Sequence, residues 1–261
     1  SLYYTDLNKF DYSNQKITFN NQKAIHKFKN YSKMYEFGLR TNLEQYITTN
    51  NTLQYGINLS SQEYQPEQYS IKSADTNLKY GAGSYRLWTA SVYVYNEFKK
   101  NGWILGTGLR SSLYNNTDRS VFTLEPRINL TKFLGRADKL MLAYDRTSQP
   151  THSIYETNYN MQSDFWVPFK EKNVPTADQL SLGWKNFALT NWELSIEAYY
   201  RKMKNLIRIN NLENYLDAGI DYSKGTGDAY GMEFMVQYNK NRFSGWFSSV
   251  SYTHLRAHET V

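Results

Sequence analysis

The sequence predicts an all-β protein: an antiparallel transmembrane β-barrel fragment of about ten meandering strands, with short periplasmic turns and long extracellular loops. Three observations predict it. Trp192, Leu194, Ile196, Ala198 and Tyr200 alternate without a break with Glu193, Ser195, Glu197, Tyr199 and Arg201. An extended strand there has one oily and one charged face, because successive side chains point to opposite sides. Aromatic residues make up 16% of the chain, with 24 Tyr, 13 Phe and 6 Trp, yet the mean hydropathy is −0.70. Amphipathic rings gather at the two lipid–water boundaries of a membrane barrel, and the polar lumen face of each strand keeps the average low. Finally, the connections between alternating runs are short and long in turn, an asymmetry that a soluble sandwich gives no reason for.

The elements follow in order. Tyr35, Phe37, Leu39 and Leu43 alternate with Glu36, Arg40 and Glu44 as the first clear strand, and Thr48 to Asn51 make a tight turn. Leu53, Tyr55, Ile57 and Leu59 share the next face, before a polar connection from about Gln62 to Ser84. A strand near Tyr85 to Phe98 is less cleanly two-faced, and Asn101-Gly102 after Lys99-Lys100 is a hairpin sequence. Trp103, Leu105, Thr107, Leu109 and Leu113 return on one face, with a short connection at Asn115 to Arg119. Phe122, Leu124, Ile128 and Leu130 follow, and Pro126 among them predicts a bulge or an unpaired amide. Leu134 to Asp138 turn the chain into Leu140, Leu142 and Tyr144. The longest connection spans about Arg146 to Thr176 and holds Pro150, Pro168 and Pro175. Leu180, Leu182 and Trp184 lead through a short turn into the Trp192 strand. A polar connection from roughly Lys204 to Asp228 precedes Tyr230, Met232, Phe234, Val236 and Tyr238, and a last strand begins at Trp246. Ten residues at about 3.3 Å each, tilted near 40°, cover roughly 25 Å, the height of an outer-membrane apolar band.

Composition narrows the classes further. No window approaches the roughly 18 apolar residues of a transmembrane helix. The chain opens at Ser1 with neither Met nor a basic and apolar leader, which reads as a chain beginning mid-protein. Cysteine is absent, so disulfides and thiolate metal sites are ruled out. The net charge of +6 comes from scattered lysines and arginines, which make no nucleic-acid footprint.

Gly225-Thr226-Gly227 and Gly231 do not make a nucleotide loop, because Tyr230 stands where a third glycine is needed and no helix pattern follows. His254 and His258 have the spacing of two helical zinc ligands, but Leu255 occupies the place of the catalytic Glu. The inward carboxylates Glu125, Glu193, Glu197 and Glu233 read as ordinary lumen polarity with Arg127 and Arg201 as partners; with no nucleophile–His–acid set, no enzyme is expected. The basic run Lys23, His26, Lys27, Lys29 and Lys33 reads as a solvated loop edge, with lipopolysaccharide phosphate as the alternative partner. Tyr155, Tyr159, Phe165, Trp166 and Phe169 fall in the longest loop. Rings there either contact a ligand or pack the loop onto itself or the barrel rim.

Several phrases carry a family resemblance. Glu125-Pro126-Arg127, Tyr144, Gln149-Pro150-Thr151-His152, Phe165-Trp166-Val167-Pro168 and Asp178-Gln179-Leu180-Ser181-Leu182-Gly183 form one set. Glu197-Ala198-Tyr199-Tyr200-Arg201-Lys202-Met203-Lys204-Asn205-Leu206 and Gly225-Thr226-Gly227-Asp228-Ala229-Tyr230-Gly231-Met232-Glu233 form another. In order and spacing they resemble the barrel of TonB-dependent outer-membrane receptors of the Bacteroidetes type, over roughly residues 30 to 250. The resemblance implies active nutrient uptake (glycan, peptide or metal chelate) across the outer membrane, with membrane lipid, an inner-membrane TonB complex and a surface lipoprotein as partners. It implies no cofactor. A passive porin and a soluble carbohydrate-binding β-sandwich are the alternatives. The family's barrel has about twenty-two strands around a plug, so residues 1–253 correspond to a partial barrel, and the stretch 254–261 departs from the family as a non-native tail. An open sheet in lipid leaves unpaired edge groups at several kcal/mol each, so this fragment alone is expected not to insert.

Overall fold

The computed structural model describes residues 1–19, 22–72, 77–81, 83–158, 161–169, 174–211 and 221–258, with side chains outside 10–31, 66–82, 154–165, 167, 208–223 and 254–258. Within them lie fourteen strands. These are β1 (Leu2–Phe19), β2 (Gln22–Thr48), β3 (Asn51–Lys72), β4 (Asn77–Gly81), β5 (Tyr85–Lys100), β6 (Trp103–Asn116) and β7 (Ser120–Leu134), then β8 (Asp138–Ser148), β9 (Thr151–Asn158), β10 (Met161–Pro168), β11 (Thr176–Asn186), β12 (Trp192–Asn211), β13 (Asp221–Lys240) and β14 (Phe243–His258). Every pairing is antiparallel. The main sheet is a meander, β1-β2-β3-β5-β6-β7-β8-β11-β12-β13-β14, with β4 beside the far end of β3 and the β9–β10 hairpin as a separate sheet.

The turns at one end are short for local reasons. Asn101 and Gly102 both take positive φ, the geometry of a two-residue hairpin turn that matches strand twist. Asn191, Asn241 and Gly135 supply the same left-handed conformation in three other turns. Each turn is stitched to the next hairpin: Lys99 N–H donates to the Asn50 carbonyl at 2.8 Å, and Phe133 N–H to the Gly102 carbonyl at 2.8 Å.

The predicted oily face has no second layer over it among the described residues. Leu180 is 51% exposed and Leu182 58%, and Leu109, Leu113, Leu124, Ile128, Leu142 and Ile196 share their face in the open. A soluble sandwich would bury that face against a second sheet, whereas here it is open among the described residues. Aromatic rings bound the band on both sides. Phe98, Trp103, Trp192 and Tyr238 stand near the short turns, with Trp192 and Tyr238 ring centroids 4.7 Å apart and the Lys132 ammonium 4.5 Å from the Trp103 ring. Trp88, Phe122, Tyr200 and Tyr230 stand at the far side. Phe98 to Trp88 along β5 covers roughly 25 Å.

The opposite, inner face is small and polar. Ser60, Ser91 and Ser112 are buried on it. Tyr93 lies over its cross-strand partner Gly56, where a Cβ would press into the ring and the Thr41 carbonyl; Tyr95 covers Gly108 and Gly106 in the same way. Each ring lies flat across the neighbouring strand because glycine leaves the space for it.

The sequence pattern misses several elements. β1 is absent from it, and the basic run from Lys23 to Lys33 is part of strand β2, not a loop edge; the side chains of Lys23, His26, Lys27 and Lys29 lie outside the described set. The polar connections expected at 62–84 and 204–228 are largely strand, because β3, β12 and β13 continue beyond the apolar band, where both faces meet water and alternation fades. At Pro126 the ladder to β6 is unbroken, and the β7–β8 ladder ends one residue away, at Arg127 opposite Asp145, so the missing amide falls where pairing stops. β14 pairs with β13 through His258. Along a strand, residues 254 and 258 are about 13 Å apart, too far for one metal ion.

Candidate functional site

The long connection between β8 and β11 is itself structured. β9 and β10 pair in register from Thr151 opposite Pro168 to Asn158 opposite Met161. The base is closed by Phe169 N–H donating to the Pro150 carbonyl (2.8 Å) and Gln149 N–H to the Pro175 carbonyl (3.0 Å). Strand β10 packs on the inner side of β3, with further contacts to β5 and β2. The hairpin therefore folds inward over the wall, at the end away from the short turns.

What holds it there is a small core. Phe169, 1% exposed, and buried Val174 meet Tyr64, Leu87 and Tyr114 from three wall strands, with Trp166, Met34, Tyr85 and Val121 packed around them. Wall amides fix the same segment. Asn116 donates from Nδ2 to the Phe169 carbonyl while its Oδ1 accepts from the Asp118 and Arg119 amides at 2.9 and 2.8 Å. Asn205, at positive φ within a register shift of β12, donates to the Val174 carbonyl at 3.2 Å. His152 is largely buried in the hairpin, and its Nε2 has no hydrogen-bond partner among the described residues. Desolvation pushes its pKa down to about 4, so it is neutral at pH 7.

Of the five aromatics read as ligand contacts, Tyr159 lies outside the described residues, and Tyr155 and Phe165 are strand residues of β9 and β10 whose side chains are not described. They belong to a hairpin rather than an irregular loop. Phe169 takes the packing role. Trp166 is half-buried and lines a cavity of about 270 Å³ with Leu7, Lys9, Met34 and Gln65. This arrangement offers an apolar floor with a cation at its edge.

The polar groups of the inner wall form networks that sequence reasoning only partly found. Arg110 donates to Ser91 (3.1 Å) and Ser112 (3.4 Å) and lies 4.0 Å from Glu125. Glu125 also accepts from Tyr114 (3.4 Å), Thr123 (3.3 Å) and Ser148. Arg127, read as a nearby partner of the inward carboxylates, stands opposite Asp145 in the β7–β8 ladder. Arg110, Arg127, Glu125, Tyr93 and Tyr95 surround a shallow recess of about 210 Å³. Glu193 pairs with Lys185 at 2.8 Å, not with an arginine, and Arg201 donates to Gln179 at 2.8 Å. Glu197 faces Glu233 directly across the β12–β13 ladder. Gly225 and Gly227 lie buried within β13, on either side of the Asn205 irregularity.

No known family profile matches the chain, and no curated protein does. Solved structures do. The FrpB iron transporter from Neisseria meningitidis (F3-3 variant) superimposes with a TM-score of 0.64 over 90% of this chain and 40% of its own, at 11% identity. The fold is that of an outer-membrane β-barrel wall. The siderophore receptor PirA from Pseudomonas aeruginosa gives a TM-score of 0.60 at 14% identity, over 97% of this chain and 48% of its own. The ferripyoverdine receptor of the outer membrane of Pseudomonas aeruginosa gives 0.54 at 11% identity, over 97% and 38%. The chain thus spans less than half the length of these structures.

Proposed function

We propose that this barrel wall belongs to an outer-membrane receptor for active nutrient uptake, energised by an inner-membrane TonB complex, and that its cargo is a metal chelate. The observation that carries the reading is the pairing of an uncovered apolar outer face with a hairpin folded against the inner face. A wall built to meet lipid on one side needs a device on the other to select what passes. Likeness in fold to an iron transporter and siderophore receptors favours the chelate over glycan or peptide. Trp166 is the ligand-contacting ring that the geometry favours, with Tyr155 and Phe165 as candidate companions on the same hairpin, Tyr159 as a candidate from the sequence, and a surface lipoprotein as a further candidate partner. Transport without catalysis is the reading of the inner carboxylates: Glu125 and Glu193 are held by hydrogen bonds and ion pairs, and among the described residues Glu197 and Glu233 face each other with no nucleophile–His set beside them.

The test is uptake of a radiolabelled ferric siderophore by cells carrying the intact protein. Accumulation is expected to stop when the gene is deleted and when a protonophore collapses the inner-membrane gradient. Uptake that survives the protonophore would support the porin alternative. Trp166→Ala is expected to weaken chelate binding by about thirtyfold, the scale of a buried Trp anchor.

A further inference from the structure

We propose that the β9–β10 hairpin is a fixed partition of the barrel mouth and not a lid, so that cargo passes beside it, along the inner face of β7, β8, β11 and β12. The inference rests on the uptake reading above and adds how the hairpin serves it. A lid that swings in each cycle is drawn from the least stable parts of a fold, with few buried contacts and a hinge free to change its dihedrals. This hairpin has neither property.

Its base is sealed. Phe169 and Val174 are buried with Tyr64, Leu87 and Tyr114, so the apolar contact spans β3, β5 and β6 at once. Two wall amides clamp the main chain of the same segment: Asn116 donates to the Phe169 carbonyl and Asn205 to the Val174 carbonyl. The first clamp is itself held, because Asn116 is buried and accepts from the Asp118 and Arg119 amides. Two buried side chains and two wall hydrogen bonds hold the undocked population to about one part in a thousand or less. The chain also enters and leaves the hairpin through prolines. Pro150 precedes β9, Pro168 ends β10 and Pro175 precedes β11, and each ring locks φ at about −65°. The Pro150 and Pro175 carbonyls accept the two backbone hydrogen bonds that close the base.

A partition that stays in place covers one side of the wall and clears the other. Strand β10 lies over β3, β5 and β2. Beyond them, register lines up Arg127, Asp145, Gln179 and Arg201 on the inner face of β7, β8, β11 and β12. Arg127 and Arg201 are exposed, and Arg201 donates to Gln179 at 2.8 Å. The row is three strand spacings wide, about 14 Å, and polar throughout. It is the hydrated side of the described wall.

The chain has no cysteine, so a tether can be placed without a competing thiol. The Tyr64 hydroxyl bonds Gln62 on the wall and lies beside Thr151 on the hairpin, which brings those two positions together. In the intact protein, Gln62→Cys and Thr151→Cys are joined by a short flexible crosslinker, and cells are assayed for uptake of radiolabelled ferric siderophore. Uptake is expected to stay within twofold of the single-cysteine controls; a tenfold loss on tethering would overturn the partition. A bulky maleimide at Gln179→Cys is expected to lower uptake at least tenfold, while the same reagent at Asp118→Cys leaves it within twofold. Unchanged uptake with position 179 blocked would overturn the route. Spin labels at Ser153→Cys and Asp118→Cys of the purified intact protein give a readout independent of uptake. One distance is expected, the same with and without ferric siderophore, and a second, longer distance would overturn the partition. If wild-type cells accumulate no ferric siderophore, the uptake reading fails and the route with it, and the spin-label distances decide whether the hairpin is fixed.

Discussion

Leu182 and Phe169 are both large apolar side chains near the middle of this sequence, and they meet opposite fates. Leu182, on the outer wall, is 58% exposed, whereas Phe169, beside the inner wall, is 1% exposed. In a water-soluble protein the first would be a liability and the second a core residue. Here both are satisfied, because the solvent differs on the two sides of one sheet. The outer face is stabilised by hydrocarbon and needs no protein cover. The inner face meets water, so any apolar group there must find protein partners, and the β9–β10 hairpin supplies them. Hydrophobic side chains thus turn one face of the sheet towards lipid and dock the hairpin on the other.

Four measurements sharpen or break that contrast. Phe169→Ala should have the largest effect, removing about 3–5 kcal/mol from hairpin docking. Hydrogen exchange and protease nicking over 149–175 should rise sharply while the folded band on a gel persists. Loss of the whole barrel would show that the two faces are not independent. Ile196→Arg, midway between Trp192 and Tyr200, should cost roughly 2–4 kcal/mol of folding into vesicles, read from urea titration. An unchanged midpoint would mean that this face does not contact lipid.

Acidification from pH 6.5 towards 4 should weaken the docking of the hairpin. His152 titrates near 4 when docked and near 6.5 when released, so docking is at full strength above pH 6.5. It weakens as pH falls from 6.5 towards 4, by up to about 3 kcal/mol. Exchange protection followed across that window should fall, and His152→Phe should flatten the dependence. The smallest effect is expected at the inner wall: Gly56→Val should cost about 1–3 kcal/mol by overpacking against Tyr93. Gly56→Val combined with Tyr93→Ala should recover part of that loss, and failure to recover would place the strain in the Thr41 backbone.

The legibility of these features followed their range along the chain. The Trp192 strand and the Asn101-Gly102 turn could be read directly, because a two-residue period and a pair of left-handed residues are local properties. β1 escaped notice, because its apolar residues do not keep to one face: Leu2 and Tyr4 share a side with Asp6 and Asn8, while Leu7 lies on the other. The extensions of β3 and β12 escaped because strands surrounded by water carry no amphipathic pattern. The candidate site was half visible. The long connection drew attention through its rings, yet its hairpin, its inward fold and the burial of Phe169 depend on Tyr64, Leu87 and Tyr114, distant residues that no local window contains.

By itself the sequence determined where the strands of the band run, which way their oily side points and where the tight turns fall. Backbone geometry ties each of those to neighbouring residues. Only the tertiary structure decided that the longest connection turns inward, that Trp166 faces a cavity while Phe169 is sealed, and that tyrosines lie across glycines of the next strand. Those outcomes belong to contacts between residues far apart in the chain, which exist only once the sheet has set its register.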